Sequence, residues 1–436
     1  MVFFSLFSQW RQGCSNGRLD KARPLSTTAV FTLCLVHLAT MANRSMFAAI
    51  VPLIGRQYRV SDTALGILLG PAFAVTYGMA AIAFGWRSDR RPPHGLMIGG
   101  LALLAIASTI LAVGDRFGLF FLAQVLIGLG QAAVVPAAML LIIRAGSDTR
   151  AGPPPLSLFT GASALGRSIG FIMAGIILAA TASLKPATGI DGWRMLPLAT
   201  LLSMMGLLMA LPRLMPRDHV IMTPVEPDDD ARLTAALIPL FIASCAPILI
   251  GQSLAAWIPS LLVRMRGYTP AGAASLLGFV LLVMGFAGQV VGGFATQRIG
   301  WIARRPLVAN AACLIAAQPL LAVATHTEWS IVLVPSLAGV IGLTGIAAFV
   351  ALQAVQAATP AARRGATTGL FLALVTLVGT GGGPLLTGVL SDATLTPGDG
   401  QGLALALVIV GCGSAGFNAL LALGAMIGSV RGTAAV

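Results

Sequence analysis

The sequence predicts an all-α polytopic membrane protein with twelve transmembrane helices in two pseudo-symmetric six-helix bundles. Hydrophobic residues make up 57% of the chain and charged residues 9%, whereas soluble domains carry about 25% charged residues. Twelve apolar segments are long enough to cross a bilayer, which takes about 20 residues. One long polar stretch, residues 215–233, separates six of these segments from the other six.

The predicted helices follow one another through short loops. They cover residues 28–54, 61–85, 95–114, 118–143, 156–182, 193–214, 234–263, 271–296, 304–325, 329–357, 365–391 and 401–429. The predicted organisation is a cytoplasmic N-terminal segment (1–27), an N-terminal bundle (28–214), a cytoplasmic linker (215–233), a C-terminal bundle (234–430) and a cytoplasmic tail (431–436).

The distribution of basic residues predicts the orientation. With the N-terminus in the cytoplasm, 18 of the 27 lysines and arginines fall on the cytoplasmic side and 7 on the opposite side. Cytoplasmic loops of membrane proteins carry such an excess. The sequence therefore predicts a multi-pass protein of a bacterial-type inner membrane with both termini cytoplasmic.

Composition and motifs exclude several other classes. The net charge of +13 comes from small basic groups between apolar runs, which does not predict nucleic-acid binding. The five cysteines show no metal-like spacing. There is no Ser/His/Asp set, no paired carboxylates and no phosphate-binding loop followed by lysine. We expect no enzyme activity, no metal, no cofactor and no ATP-driven step.

The two halves repeat each other's patterns. Gly85-Trp-Arg-Ser-Asp-Arg-Arg follows the second predicted helix, and Gly293-Phe-Ala-Thr-Gln-Arg follows the eighth. The fifth and eleventh helices are both rich in glycine. Many secondary transporters are built from repeated bundles with the solute site near the bilayer midplane.

At these residues the chain resembles the major facilitator superfamily, and within it the spinster-like branch. The second helix, Val60 to Tyr77, is similar to that branch, as are Gly128 to Pro136, Gly192-Trp-Arg and the stretch from Gly382 to Asp392. The resemblance implies the fold of that superfamily, alternating access by two rocking bundles, and a cavity lined by helices one, four, seven and ten. Members carry lipids, lysolipids, organic anions and other solutes, often with protons.

The chain departs from the branch where acids are expected. The usual Asp-Arg of the first helix is Asn43-Arg44, and the usual Arg and Glu of the fourth are Gln124 and Gln131. All 14 acidic residues fall in predicted loops or at helix ends. Because proton relays use buried acids or histidines, the sequence favours facilitated diffusion or exchange, with a coupling proton or counter-solute left open.

Two cations fall inside the predicted membrane core, Arg44 in the first helix and Arg167 in the fifth. Each costs about 2.5–3.5 kcal/mol on an insertion scale, so such residues face a cavity or a partner. One hypothesis is that they bind a carboxylate, phosphate or sulfate of the solute, which the planar guanidinium suits. The alternative is a structural role with glutamine or carbonyl partners.

His37 precedes Arg44 by seven residues and lies on about the same helix face. It could carry a proton, or be a neutral histidine bonded to a carbonyl. The remaining predicted substrate-binding residues are polar or aromatic side chains of the first, fourth, seventh and tenth helices. They are Asn43, Gln124, Gln131, Gln252, Trp257, Gln353 and Gln356.

A gating role is predicted for Asp89, Arg90 and Arg91. Asp89 ends the second helix, and the resemblance implies that it meets the N-terminus of the eleventh helix near Gly365. A carboxylate there is stabilised by exposed N–H groups and the helix dipole. The alternative is a cluster of charges that only sets topology.

The sequence thus predicts transport of a small anionic organic solute or lysolipid by alternating access, in a protein that acts as a monomer in the lipid bilayer. The alternative is a membrane sensor or assembly partner that uses the same scaffold without transport. A sensor would carry a sizeable soluble domain or long tail, and neither is evident in the 436 residues.

Overall fold

The computed structural model describes residues 26–90, 93–144, 155–184, 188–214, 237–359, 364–394 and 400–433. Within these ranges twelve helices are long and apolar enough to cross a membrane, which confirms the predicted fold class. The predicted linker, 215–233, lies outside the described residues, as does nearly all of segment 1–27. The predicted domain boundaries therefore stay predictions.

The helices are numbered in chain order. They are α1 (Thr27–Tyr58), α2 (Asp62–Leu69 and Pro71–Arg90), α3 (His94–Val113), α4 (Phe117–Arg144), α5 (Pro155–Ala180), α6 (Met195–Leu214), α7 (Leu237–Met265), α8 (Pro270–Val280, Leu281–Gly285 and Phe286–Arg298), α9 (Pro306–His326), α10 (Ser330–Ala358), α11 (Arg364–Leu374, Val375–Gly381 and Gly382–Thr394) and α12 (Gly400–Thr433). A five-residue helix, Gly300–Arg304, precedes α9.

Hydroxyl side chains set the starts of several helices. Ser26 accepts a hydrogen bond from the backbone N–H of Ala29, 3.2 Å away, and Ser61 accepts one from Ala64 at the same distance. Such caps satisfy N–H groups that have no partner within the helix. The two serine caps therefore fix where α1 and α2 begin, directly before the apolar segment of each helix.

Two of the helices contain π-helical turns, Leu281–Gly285 in α8 and Val375–Gly381 in α11. The turn in α11 packs against α2, where a Cβ on Gly70 would clash with the Gly381 carbonyl. Glycine on both helices therefore permits their close crossing at Gly70 and Gly381. Turns of this type are frequent at functional sites.

The helices of the two bundles pack closely against each other at one end of the molecule and much less at the other. The side where α1 begins and α12 ends is named the terminal side, and the opposite side the outer end. At the outer end α2 packs on α11 and α5 on α8. Among the described residues, the segments Pro71–Arg90 and Arg364–Leu374 touch only marginally towards the terminal side. The described parts of the two bundles are therefore in close contact at the outer end and separate towards the termini.

Candidate functional site

Arg44 lies near the middle of α1, half-buried between helices. Its guanidinium carbon is 3.9 Å from the centre of the Phe73 ring of α2, which is itself only 2% exposed. Phe73 in turn stacks on Tyr77, with ring centres 5.5 Å apart. A cation over an aromatic face is attracted by the ring quadrupole. The aromatic pair therefore orients Arg44 within the protein, next to the helix that forms the bundle interface.

Arg167 comes close to Arg44 because α5 packs tightly on α1. A Cβ on Gly166 would clash with the backbone of Leu38, and one on Gly170 with that of Ala42. Through this contact Arg167 lies within electrostatic range of Arg44 and of His37. The structure thus brings together three of the predicted residues, here named the cationic cluster: His37, Arg44 and Arg167.

His37 is held by Phe159 of α5. Its Nδ1 is 3.0 Å from the Phe159 carbonyl oxygen, and the two rings stack with centres 4.1 Å apart. A carbonyl only accepts, so Nδ1 carries the hydrogen and donates it. A backbone carbonyl is the partner expected if His37 is a neutral structural histidine and not a proton carrier.

Other predicted residues of the N-terminal bundle make contacts away from the cluster. Asn43 turns towards α3, where its Nδ2 donates to Ser108 Oγ over 3.4 Å. Gln131 is fully buried, and its Nε2 donates to the Thr40 carbonyl over 2.8 Å. Gln124 lies on α4, as Gln131 does, and its side chain is 4% exposed. For Asn43 and Gln131 these contacts favour links between helices over solute contact.

The predicted substrate-binding residues of the C-terminal bundle lie on α7 and α10. Trp257 is completely buried, and its Nε1 donates to the Pro384 carbonyl of α11 over 3.0 Å. That bond favours a packing role at the α7–α11 contact. Gln252, Gln353 and Gln356 are half-buried on α7 and α10.

The sequence analysis did not identify a polar network that joins the bundles at the outer end. Arg264 of α7 binds Asp62 of α2 with two hydrogen bonds, Nη1–Oδ2 of 2.7 Å and Nη2–Oδ1 of 2.6 Å. Ser391 of α11 donates to Asp62 Oδ2 over 2.7 Å. Asp62 had been expected only at a helix end, since nothing in its local sequence indicates partners some 200 and 330 residues away.

Asp392 completes this network, which we name the outer network: Asp62, Arg264, Ser391 and Asp392. Its carboxylate accepts from the backbone N–H groups of Asp62 and Thr63, at 3.1 and 2.7 Å. It therefore caps the N-terminus of α2, where a negative charge is favoured by the exposed donors and the helix dipole. Every one of these contacts crosses from one bundle to the other.

The predicted gating residues lie at the other end of α2. Asp89 and Arg90 occupy its last turn, with side chains that the structure does not describe, and Arg91 lies outside the described residues. Their gating role stays a prediction.

The family model of the Major Facilitator Superfamily matches residues 33–384. The chain belongs to the Major Facilitator Superfamily. Human protein spinster homolog 1 is 26% identical over 402 residues, which cover 84% of this chain and 73% of that protein. The probable L-galactonate transporter of Escherichia coli K12 is 22% identical over 430 residues, 91% of this chain and 88% of the relative.

A solved structure has the same fold. It is the crystal structure of a bacterial homolog of the human lysosomal transporter Spinster in an inward-facing and occupied conformation, with a TM-score of 0.75, 19% identity, and coverage of 90% of this chain and 96% of that one. The resemblance to the spinster-like branch is confirmed. The chain is a multi-pass membrane transport protein for small molecules and not an enzyme. Because these relatives are transporters, the comparisons favour transport over the sensor alternative.

Proposed function

We propose that this superfamily member carries a small organic anion, or a lysolipid with an anionic headgroup, by alternating access, with Arg44 and Arg167 binding the anionic group. The observation that carries the proposal is the cationic cluster itself. Two arginines lie near the middle of the apolar helices α1 and α5, within electrostatic range of each other. Among the described residues, the carboxylates lie in loops or at helix ends.

The energetic argument concerns what neutralises these charges. A charged side chain in the membrane core is costly unless a partner or water satisfies it. Phe73 supplies a cation–π contact to Arg44, which leaves the guanidinium donors free to bind a ligand in the guanidinium plane. A planar fork binds a carboxylate or phosphate through two parallel hydrogen bonds. An arriving anion would therefore neutralise charge that the described residues leave unneutralised.

The geometry of the bundles supports access from one side. Their described parts are in close contact at the outer end and separate towards the termini, so the solute would reach the cluster from the terminal side. With the orientation that the basic residues predict, this is an inward-facing state of an inner-membrane protein with cytoplasmic termini. We further propose that the protein acts as a monomer. We also propose that it works by facilitated diffusion or exchange, because the cationic cluster contains no carboxylate to carry a proton.

The name of one relative, the probable L-galactonate transporter of Escherichia coli K12, is consistent with an anionic solute, since L-galactonate is a sugar acid. The test is uptake and counterflow in proteoliposomes, with matched pairs such as galactonate and galactose, and with lysophosphatidate as the lysolipid. We expect the anion of a pair to be carried and the neutral partner to be excluded.

Variants locate the site. Arg44→Ala and Arg167→Ala should each weaken the apparent affinity about 10- to 100-fold, the effect of losing a charged hydrogen bond worth roughly 1.5–3 kcal/mol. Arg44→Lys should recover part of it, since it keeps the charge without the fork. The matched control is Arg305→Ala, which removes an exposed charge beyond α8. Equal transport of neutral partners, with unchanged affinity in Arg44→Ala, would refute the proposal.

A further inference from the structure

The C-terminal bundle has an apolar groove on its surface, between α7, α11 and α12. Its volume is about 300 Å³, at the lower end of the range of about 300–1,000 Å³ for small-molecule pockets. Cys245 and Leu249 of α7 are buried, so α7 forms the floor. Val378 of α11 and Phe417 of α12 are 40% and 51% exposed, so these helices form the walls. We name it the α12 groove, and its main lining residues are Cys245, Leu249, Leu374, Val378, Gly413 and Phe417.

The groove forms because α11 lies closely on α7 but separates from α12. A Cβ on Gly383 would clash with the Leu249 carbonyl, so glycine lets α11 lie against α7. α12 packs on the last segment of α11, Gly382–Thr394, whereas the described residues of the two segments before it have at most marginal contact with α12. A Cβ on Gly413 would meet no described neighbour within 4 Å, so no side chain fills the gap from this position of α12.

The lining of the groove fits an apolar ligand. Ser414 and Cys245 are its two polar side chains among the described residues, and both are bonded within their own helices. Ser414 Oγ donates to the Val410 carbonyl over 2.7 Å, and Cys245 Sγ donates to the Phe241 carbonyl over 3.4 Å. All three helices are long and apolar enough to cross a membrane, so lipid surrounds this surface. An acyl chain would fill the groove without leaving a polar group unpaired.

Basic residues lie on the same two walls, further towards the terminal side. Arg364 begins α11, ten residues before Leu374, and Arg431 lies in the last turn of α12, 14 residues after Phe417. These intervals are about 15 and 21 Å of helix, and one leaflet of hydrocarbon is about 15 Å thick. A phospholipid with a chain in the groove would therefore have its headgroup near the level of the arginines. Basic sites between transmembrane helices on the cytoplasmic side bind anionic headgroups.

We propose that the α12 groove binds one acyl chain of an anionic phospholipid from the leaflet on the terminal side, with Arg364 and Arg431 attracting the headgroup. The groove lies in the C-terminal bundle, whereas Arg44 and Arg167 lie in the N-terminal bundle. The lipid is therefore a bound partner of the transporter and not its solute. A bound chain would fill the gap between α11 and α12.

The test is photocrosslinking of the full-length protein in phosphatidylcholine nanodiscs, followed by peptide mass spectrometry. The probe is phosphatidylglycerol with a diazirine near the middle of one acyl chain, and phosphatidylcholine with the same chain is the neutral probe. We expect phosphatidylglycerol to label the groove more strongly than it labels α6, the sixth helix of the N-terminal bundle as α12 is of the C-terminal bundle. It should label the groove about fivefold more than phosphatidylcholine does, the effect expected of one nearby arginine.

Two variants locate the chain and the headgroup. Gly413→Phe places a ring at an open position of the groove, so labelling of the groove should fall to the level of α6. The matched control is Gly206→Phe, since Gly206 is an exposed glycine of α6 where a Cβ would also meet no described neighbour within 4 Å. Arg431→Gln leaves the groove unaltered and should reduce the preference for phosphatidylglycerol. Arg213→Gln, which removes an exposed arginine from the end of α6, should not.

Equal labelling of the groove by the two lipids, or labelling that survives Gly413→Phe, would overturn the proposal. So would a groove that stays unlabelled in particles with two copies of the chain, because the second copy would then cover it. Arg44→Ala should leave labelling of the groove unchanged. Failure of this inference is therefore distinct from failure of the proposed anion specificity.

Discussion

Two regions of the molecule handle buried charge in opposite ways. In the outer network, Arg264 is matched by two hydrogen bonds to Asp62, and Asp392 is matched by backbone donors. In the cationic cluster, Arg44 and Arg167 lie near each other, and Arg44 rests on an aromatic ring. Charge matched within the protein favours one conformation, whereas charge left unmatched is available to a mobile ligand. The comparison makes different predictions for removing an arginine from each region.

The largest expected effect is at the outer network. Arg264→Ala leaves the buried Asp62 carboxylate without its cation, so the free energy of unfolding should fall by about 3 kcal/mol. Equilibrium unfolding in detergent measures this. The double variant Asp62→Ala with Arg264→Ala should recover most of the loss, since no charge is left unpaired. A double variant as unstable as the sum of the two single variants would show that the ion pair is not the source of the effect.

The same measurement on the cationic cluster should give the opposite sign. Arg44→Gln removes one of two neighbouring cations, so the ligand-free protein should become more stable by about 1 kcal/mol, a fraction of the cost of a charge in the membrane core. A transported anion should then stabilise the unmodified protein but not the variant. A clear loss of stability in ligand-free Arg44→Gln would mean that Arg44 is matched within the protein after all.

His37 tests whether the cluster carries protons. Because its Nδ1–H donates to the Phe159 carbonyl, we expect a structural role, with a loss of about 1 kcal/mol of stability in His37→Gln. The pH dependence of uptake should be the same as in the unmodified protein. If His37→Gln removes that pH dependence in proteoliposomes, the histidine is a proton carrier and the cluster is coupled.

The smallest effect is expected one residue from Arg44. Asn43→Ala removes a long hydrogen bond of 3.4 Å to Ser108, so it should lower stability by roughly 0.5 kcal/mol. The apparent affinity for solute should stay within about twofold, because the side chain turns away from the cluster, and a twofold change is about 0.4 kcal/mol. A tenfold loss of affinity would place Asn43 at the solute, in conflict with its position beside α3.

The helices were predictable because their signals are local. An apolar run of about 20 residues with a capping serine or a short polar loop at its end determines where each helix lies. The intramembrane position of Arg44 and Arg167 follows from the same runs. Their proximity does not, since it depends on Gly166 and Gly170 fitting against the backbone of α1.

The outer network could not be predicted in the same way. Asp62 and Asp392 are both at helix ends in the sequence, and such acids are usually solvated. Only the packing of α2 on α11 buries Asp62 to 2% exposure, and only the packing of α7 on α11 places Arg264 beside it.

The sequence by itself determined the membrane environment, the twelve helices and their division into two bundles, because burial in lipid demands long apolar helices whatever their neighbours are. The tertiary structure decided which charges have partners. Partners are chosen by how helices hundreds of residues apart cross one another, and at these crossings glycine and small side chains decide which backbones approach closely enough to be capped or paired.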